Sequence, residues 1–291
     1  MPPQKVDTEV PPKATGAAEK LVEARREETP LKLYAGWFCP FVQRTWLTLE
    51  ELKVPYQYIE INPYHKSPEF LALNPRGLVP ALGVPVKVSG DGHRELKPLY
   101  ESNIINEYLD ATYADPSTSL YPIDNYERAR MKIWIDWIGG KVCPAFYRLL
   151  QHTSESSYTL EEAREQLLQA IVTWTQEADP EGPFWNGKEV SMIDLTLAPW
   201  NERLFLIEHY KSGGTGFPFY GNHGSKQPSG GHDNDKVIQR WLKWSKAMSE
   251  RQSVQDTLSE REMYLKSYQR YAENTTGSEV GQATRAGKAL P

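Results

Sequence analysis

Two cysteines are all that 291 residues supply, and Cys39 and Cys143 stand far apart in the chain. That scarcity argues against a disulfide-stapled secreted domain and suits a reducing, cytoplasmic compartment. No stretch approaches the roughly 18 consecutive apolar residues of a membrane span, so no stable membrane insertion is expected. Residues 1–28 carry Pro, Glu, Lys and Ala without an apolar stretch, and no secretory signal is expected there. Clusters of Lys and Arg interleaved with aromatics are also missing. With a formal net charge of -5 and a pI near 5.8, nucleic acid is not an expected partner, and small molecules or proteins fit better. No metal cofactor is expected either. What is present is 39% hydrophobic residues, enough for two modest cores.

The stretch Leu31 to Phe41, LKLYAGWFCPF, organises the chain. Leu31, Leu33 and Tyr34 open a short strand, Gly36 permits the turn out of it, and Pro40 suits the first turn of a helix. Val42, Trp46 and Leu49 recur at helical spacing as one buried face. Cys39 therefore falls at a helix start, where unpaired N–H groups and the positive end of the macrodipole favour a thiolate. Cysteines so placed have a pKa of roughly 3.5 to 7.5, against about 8.5 when free. Val42 stands where a C-x-x-C pair would have its second thiol, so turnover by thiol exchange needs an outside thiol. Two readings of Cys39 stand at this point: a reactive thiolate and a small buried hydrophobe.

Taken in order, residues 1–29 read as a mobile arm with at most a marginal helix from Ala17 to Ala24. Tyr56 to Ile61 alternates as a strand, with Tyr58 and Glu60 on one face. Ser67-Pro68-Glu69 starts a short helix that Asn74-Pro75 ends. Pro80, opening the strand from Ala81, is either a trans edge proline, the commoner case, or part of a cis turn. Ser89-Gly90-Asp91-Gly92 signals a hairpin to a strand over Arg94 to Tyr100. Ser102 reads as the N-cap of the next helix, and a cap needs no ligand. Equally, a helix start bearing a hydroxyl beside an acid can hold a carboxylate and an ammonium.

The order gives an α/β domain over residues 30–113, a linker over 114–124, and an all-helical domain over 125–291. In the last, Met131, Ile133, Trp134, Trp137 and Ile138 form a wide apolar stripe. Thr159-x-x-Glu162 and Ser191-x-x-Asp194 are capping boxes, the second before a helix carrying Leu197, Trp200, Leu204 and Ile207. Further helices cover 237–249 and 253–272. Residues 211–234, with seven glycines and no periodicity, read as a mobile surface insertion.

In combination, the strand–GWFCPF–helix start, Leu78-Val79-Pro80 before a strand, Glu101-Ser102 opening a helix, and a helical second half with a Ser-x-x-Asp cap resemble the cytosolic glutathione transferases. The cysteine before Pro-Phe resembles the omega class, and the tail around Tyr271-Ala272-Glu273-Asn274 resembles its fungal members. The resemblance covers residues 31 to about 272. It implies a thioredoxin-like N-terminal domain, an all-α C-terminal domain, glutathione as co-substrate, and an acceptor pocket between the domains. It further implies a homodimer.

Carried over by residue, Cys39 is the nucleophile, Val79 before a cis Pro80 pairs its backbone with the cysteinyl part of glutathione, and Glu101 and Ser102 take the γ-glutamyl ammonium and carboxylate. Lys66 reaches the glycyl carboxylate. Phe38 stands beside the thiol, and Trp134, Trp200 and Arg203 line the acceptor pocket. The activity this implies is thiol transfer, deglutathionylation and dehydroascorbate reduction, with weak conjugation unless the Tyr34 hydroxyl reaches the sulfur. A small electrophile or disulfide is the partner substrate. The rival reading is a non-catalytic carrier of hydrophobic ligands, for which nine tryptophans offer material.

Overall fold

The computed structural model describes residues 10–87, 94–222 and 232–291. The described chain divides into two compact units, one holding residues 10–121 and 252–263, the other residues 122–251 and 264–291. The Ser89–Gly92 turn lies outside the described residues.

The first unit runs α1 (Gly16–Ala24), β1 (Lys32–Ala35), α2 (Pro40–Glu51), β2 (Gln57–Glu60), α3 (Pro68–Leu73), β3 (Ala81–Lys87), β4 (Arg94–Tyr100) and α4 (Ser102–Tyr113). Its sheet has the order β2-β1-β3-β4, with β1 parallel to β2 and antiparallel pairing elsewhere. A parallel pair needs a crossover, which α2 supplies. Along α2, Val42, Trp46 and Leu49 are fully buried, as their spacing requires. Tyr34, Ile59 and Val79 pack against a small cluster of Ile61, Phe70 and Ala81, which seats α3. Leu33 and Ala35, alternating with Tyr34 on β1, are fully buried. This is the thioredoxin-like architecture that the resemblance implies.

Two boundaries differ from expectation. Residues 10–29 are not a bare arm: Ala18 is fully buried, its N–H bonds to the Leu258 carbonyl, and the Trp37 indole donates to the Pro11 carbonyl at 3.1 Å. The partner of α1 is a distant helix, α11 (Gln252–Asp256), which also approaches α2 where Gln43 Nε2 donates to Thr257 Oγ1 at 3.1 Å. Residues 252–263 thus group with the first unit, although periodicity alone places them in the helical half.

The second unit contains α5 (Asn125–Trp137), a π-helical turn (Ile138–Val142), α6 (Cys143–Leu150), α7 (Leu160–Gln176), α8 (Met192–Asn201), α9 (Leu204–Tyr210), α10 (His232–Ser249), α12 (Arg261–Ala272) from Tyr264 onward, and α13 (Glu279–Arg285). Both capping boxes form. The stripe on α5 is narrower than expected, because Ile133 is exposed while Met131, Ile135 and Ile138 are buried. The helix expected through Ile207 breaks after Asn201, with α9 restarting at Leu204. The described part of the glycine-rich stretch is packed rather than a loose insertion. Thr215 and Phe217 are fully buried, the Arg164 guanidinium donates to the Ser212 and Gly214 carbonyls, and the Trp241 indole donates to Pro218. Residues 223–231 of that stretch lie outside the described residues.

Candidate functional site

Strand β1 ends at Ala35 and the chain turns through Gly36, Trp37 and Phe38 to reach α2. Cys39 is the N-cap, extended at φ -77° and ψ 123°, with Pro40 behind it in the first turn and no side-chain cap bond. Its N–H donates to the Gly36 carbonyl at 2.9 Å, and its own carbonyl accepts the Gln43 N–H at 3.1 Å. The residue is half-buried, with Sγ 3.9 Å from the Val79 carbonyl oxygen. Sulfur is a weak donor, so this contact is a weak one. The sulfur neither closes the helix nor lies sealed in the core, unlike the fully buried Cys143.

Phe38 folds back on its own turn, its ring 5.7 Å from Trp37 in an edge-on arrangement. Under the turn lies a carboxyl. Glu60, at the end of β2, accepts the Trp37 backbone N–H on Oε1 at 3.2 Å and the Tyr58 hydroxyl on Oε2 at 3.0 Å. Burial pushes this carboxyl up to about 7, against the opposing pull of both hydrogen bonds. The alternation of β2 puts Tyr58 and Glu60 on one face in the sequence, but nothing local tells that Trp37 is their partner.

The Val79–Pro80 peptide is cis, as the resemblance implies, and not the trans edge proline that is the commoner local case. An edge position fails on topology as well, since β3 is flanked by β1 and β4. The preceding segment gathers the other expected residues. A Cβ at Gly77 (φ 64°) would stand 2.9 Å from Lys66 Cδ and Nζ, so glycine both accepts the left-handed backbone and leaves room for that side chain. One residue earlier, the Arg76 guanidinium forms an ion pair with Glu101 and lies 5.8 Å from the Tyr100 ring centre. Asn74 shapes the turn by accepting the Arg76 N–H at 3.2 Å and donating to the Leu78 carbonyl at 3.0 Å. Residues 76, 77 and 79 thereby lie beside Glu101, Lys66 and Cys39 in turn. Arg76 was missed from the sequence. Its only signal is a cation directly after the Asn74-Pro75 turn.

Ser102 is not the N-cap. Glu101 takes that position at φ 70°, ψ 109°, without a side-chain cap bond, and Ser102 is the first residue of α4, 7% exposed. The positive φ turns the chain sharply out of β4 and starts the helix one residue earlier than the serine signal suggests. Such a conformation costs a non-glycine residue about 1 to 3 kcal/mol. The Tyr34 ring lies 5.5 Å from Phe70, on the face packed by α3, and burial raises its hydroxyl's pKa.

The acceptor-pocket residues fare differently. Trp200 and Arg203 are core of the helical unit, 1% and 0% exposed, with the Arg203 guanidinium donating to the Tyr268 hydroxyl and the Pro199 carbonyl. Trp134 is half-buried, its ring 5.5 Å from Trp137 and 6.3 Å from Trp185. Among the described residues, no group of three or more His, Cys, Asp and Glu side chains could hold a metal ion, and no helix is long and apolar enough to cross a membrane.

Comparison with known proteins turns this geometry into a family. Residues 38–112 match the family described as glutathione S-transferase, N-terminal domain. Glutathione S-transferase omega-1 of Sus scrofa is 34% identical over 180 residues, 61% of this chain and 68% of its own length. The chain belongs to the omega-class glutathione S-transferases. Its structure resembles that of glutathione transferase Omega 3C from Trametes versicolor with a TM-score of 0.71 and 33% identity, covering 90% of this chain and 98% of the other. The pyrimidodiazepine synthase of Drosophila melanogaster is 33% identical over 185 residues, 62% of this chain and 68% of its own length. As an omega-class glutathione S-transferase, the protein is an enzyme with glutathione as co-substrate. All of Cys39, Lys66, Arg76, Val79, Pro80, Glu101 and Ser102 lie inside the matched N-terminal segment.

Proposed function

We propose that this transferase works by thiol exchange through Cys39. The observation that carries the reading is the partly buried Cys39 at the N-cap of α2, whose side chain makes no cap hydrogen bond. The Cys39 thiolate attacks the glutathione sulfur of a mixed disulfide R–S–SG. That S–S bond breaks, the thiolate R–S⁻ leaves, and Cys39–S–SG forms. A second glutathione, as its thiolate, attacks the glutathionyl sulfur of this adduct, releasing oxidised glutathione and restoring the Cys39 thiolate. Deglutathionylation is the same step with a protein as R, and dehydroascorbate reduction draws on the same couple.

Val79 offers its backbone to the cysteinyl part of the tripeptide, Glu101 and Ser102 take its amino-acid end, and Lys66 the glycyl carboxylate. Phe38 flanks the thiol. The carrier reading loses its material, since seven of the tryptophans (37, 46, 174, 185, 200, 241 and 244) are fully buried core. The family also suggests a homodimer in a cytoplasmic compartment rich in reduced glutathione.

The test pairs two substrates, a mixed disulfide of glutathione with a small thiol and an aryl halide. The parent enzyme is expected to favour the disulfide, and Cys39→Ser to lose disulfide exchange by at least about a thousandfold. Unchanged exchange in Cys39→Ser overturns the mechanism.

A further inference from the structure

We propose that Glu60 is a positioning residue for the nucleophile: its carboxyl accepts the Trp37 backbone N–H and so fixes the turn that delivers Cys39 to the start of α2. The inference deepens the reading of Cys39 as the reacting thiol and rests on it.

Three observations converge on this turn. Its first peptide groups leave the sheet at Ala35, which is the register partner of Glu60, so the carboxyl stands directly across from the point of departure. Oε1 then takes the N–H of Trp37, two residues before the sulfur, at 3.2 Å, while Oε2 is held by the Tyr58 hydroxyl at 3.0 Å. The Trp37 side chain is fixed separately, buried and donating its indole N–H to the Pro11 carbonyl. Between them these contacts hold backbone and side chain of one residue, and the next two are Phe38 and Cys39.

The carboxyl's surroundings make the hold responsive to pH. Burial is the largest influence and pushes Glu60 up to about 7; the Trp37 N–H and then the Tyr58 hydroxyl oppose it. From β1 the facing residue is Ala35, without a charge. From α2 the Trp46 ring packs on Tyr58, 4.8 Å between centres, and is likewise uncharged. The charged pair at the other end of the strand, Arg25 with Glu50, is joined to Tyr56. Glu60 therefore exchanges its proton across the neutral range. An ionised acceptor binds an N–H more strongly than a neutral one. The turn firms as pH rises, over the range in which a thiolate at a helix start also forms.

The experiment measures alkylation of Cys39 by iodoacetamide from pH 5.5 to 9, mapped by mass spectrometry, together with deuterium exchange of the Trp37 amide. The parent protein is expected to show two inflections in alkylation, that of the thiol and one near neutrality. Glu60→Gln, whose amide oxygen still accepts from Trp37, should keep Trp37 protection within about threefold and lose the neutral inflection. Glu60→Ala should speed Trp37 exchange at least about tenfold. Persistence of the neutral inflection in Glu60→Gln, or unchanged Trp37 protection in Glu60→Ala, overturns the proposal. Where Glu60→Ala does not fold, the Glu60→Gln profile decides alone. Cys39→Ser separates the two ideas: retained disulfide exchange there sinks the thiol mechanism, while Trp37 protection in the same protein still reports on Glu60.

Discussion

Two helix starts, one in each unit, depend on a carboxyl, fully buried in one and partly buried in the other, and they use it in opposite ways. At α8 the carboxyl belongs to the cap itself. Asp194, fully buried, accepts the Ser191 N–H and hydroxyl at 2.8 and 2.7 Å, the Trp185 N–H at 2.8 Å and the Trp244 indole at 2.8 Å. Four donors surround one carboxylate, and that helix start is committed to structure. At α2 the carboxyl stands back on the neighbouring strand, where Glu60 holds Trp37, and the cap position itself is given to Cys39. Removing the carboxylate from the cap leaves the first-turn amides and the dipole available to a sulfur anion.

The comparison breaks most visibly in two variants set side by side. Asp194→Ala strands buried donors at Ser191, Trp185 and Trp244, and a loss of about 3 to 5 kcal/mol in unfolding free energy is expected from denaturant titration. Cys39→Ser opens no cavity and brings to the N-cap a hydroxyl able to accept a first-turn N–H, so its stability should hold or rise by up to about 1 kcal/mol while exchange activity disappears. A large stability loss in Cys39→Ser would mean that its position is structural after all.

The next effect sharpens the contrast through pH. Glu60 titrates at about 7 in the folded protein against 4.5 as its ordinary value, so the folded state holds the extra proton between those values. Its contribution is fully present below pH 4.5 and is lost as pH rises through 7. The span corresponds to about 3 kcal/mol. Glu60→Gln should lack this decline, and should exceed the parent in stability at pH 8 by up to that amount while matching it more closely at pH 5. Equal pH dependence of unfolding in the two proteins would place the ionisation elsewhere. The parent thus gives up stability at the pH where the turn is firmest, as functional positions often do.

Legibility in the sequence follows the range of the interaction. The Cys39-Pro40 helix start and the boxes at Thr159/Glu162 and Ser191/Asp194 are local, with partners within three residues, and all three form. Arg76 with Glu101 and Trp37 with Glu60 join residues 25 and 23 positions apart, and no spacing rule reaches them. The same limit hid the grouping of residues 252–263 with the first unit. Trp200 is hard to read for another reason: α8 is buried on every side from Met192 to Asn201, so no apolar stripe marks which side chains face a ligand and which are core.

A smaller effect concerns the segment that gathers the site. Gly77→Ala adds a Cβ 2.9 Å from the Lys66 side chain and 3.1 Å from Leu71 Cδ2, in a backbone of φ 64°. The flexible lysine can move away, but the conformation remains costly, so a loss of about 1 to 2 kcal/mol is expected by thermal or chemical unfolding. If Lys66 takes the glycyl carboxylate as proposed, its displacement should also raise the KM for glutathione.

The smallest effect tests whether strain at the second open helix start serves binding. Glu101, at φ 70°, holds a left-handed conformation that favours glycine, and its ion pair with Arg76 joins two side chains that are each nearly half exposed. An exposed pair of this kind contributes little. Glu101→Gly relieves the backbone and keeps an acceptable N-cap, so it should be more stable than the parent by about 1 kcal/mol. If the carboxylate faces the glutathione ammonium, the same variant should bind glutathione about tenfold more weakly, since an exposed-to-half-buried charge pair with ligand is lost. Stability rising while affinity falls would mark the left-handed residue as strain retained for the tripeptide. Stability rising with affinity unchanged would leave Ser102 and the α4 amides to hold the amino-acid end without it.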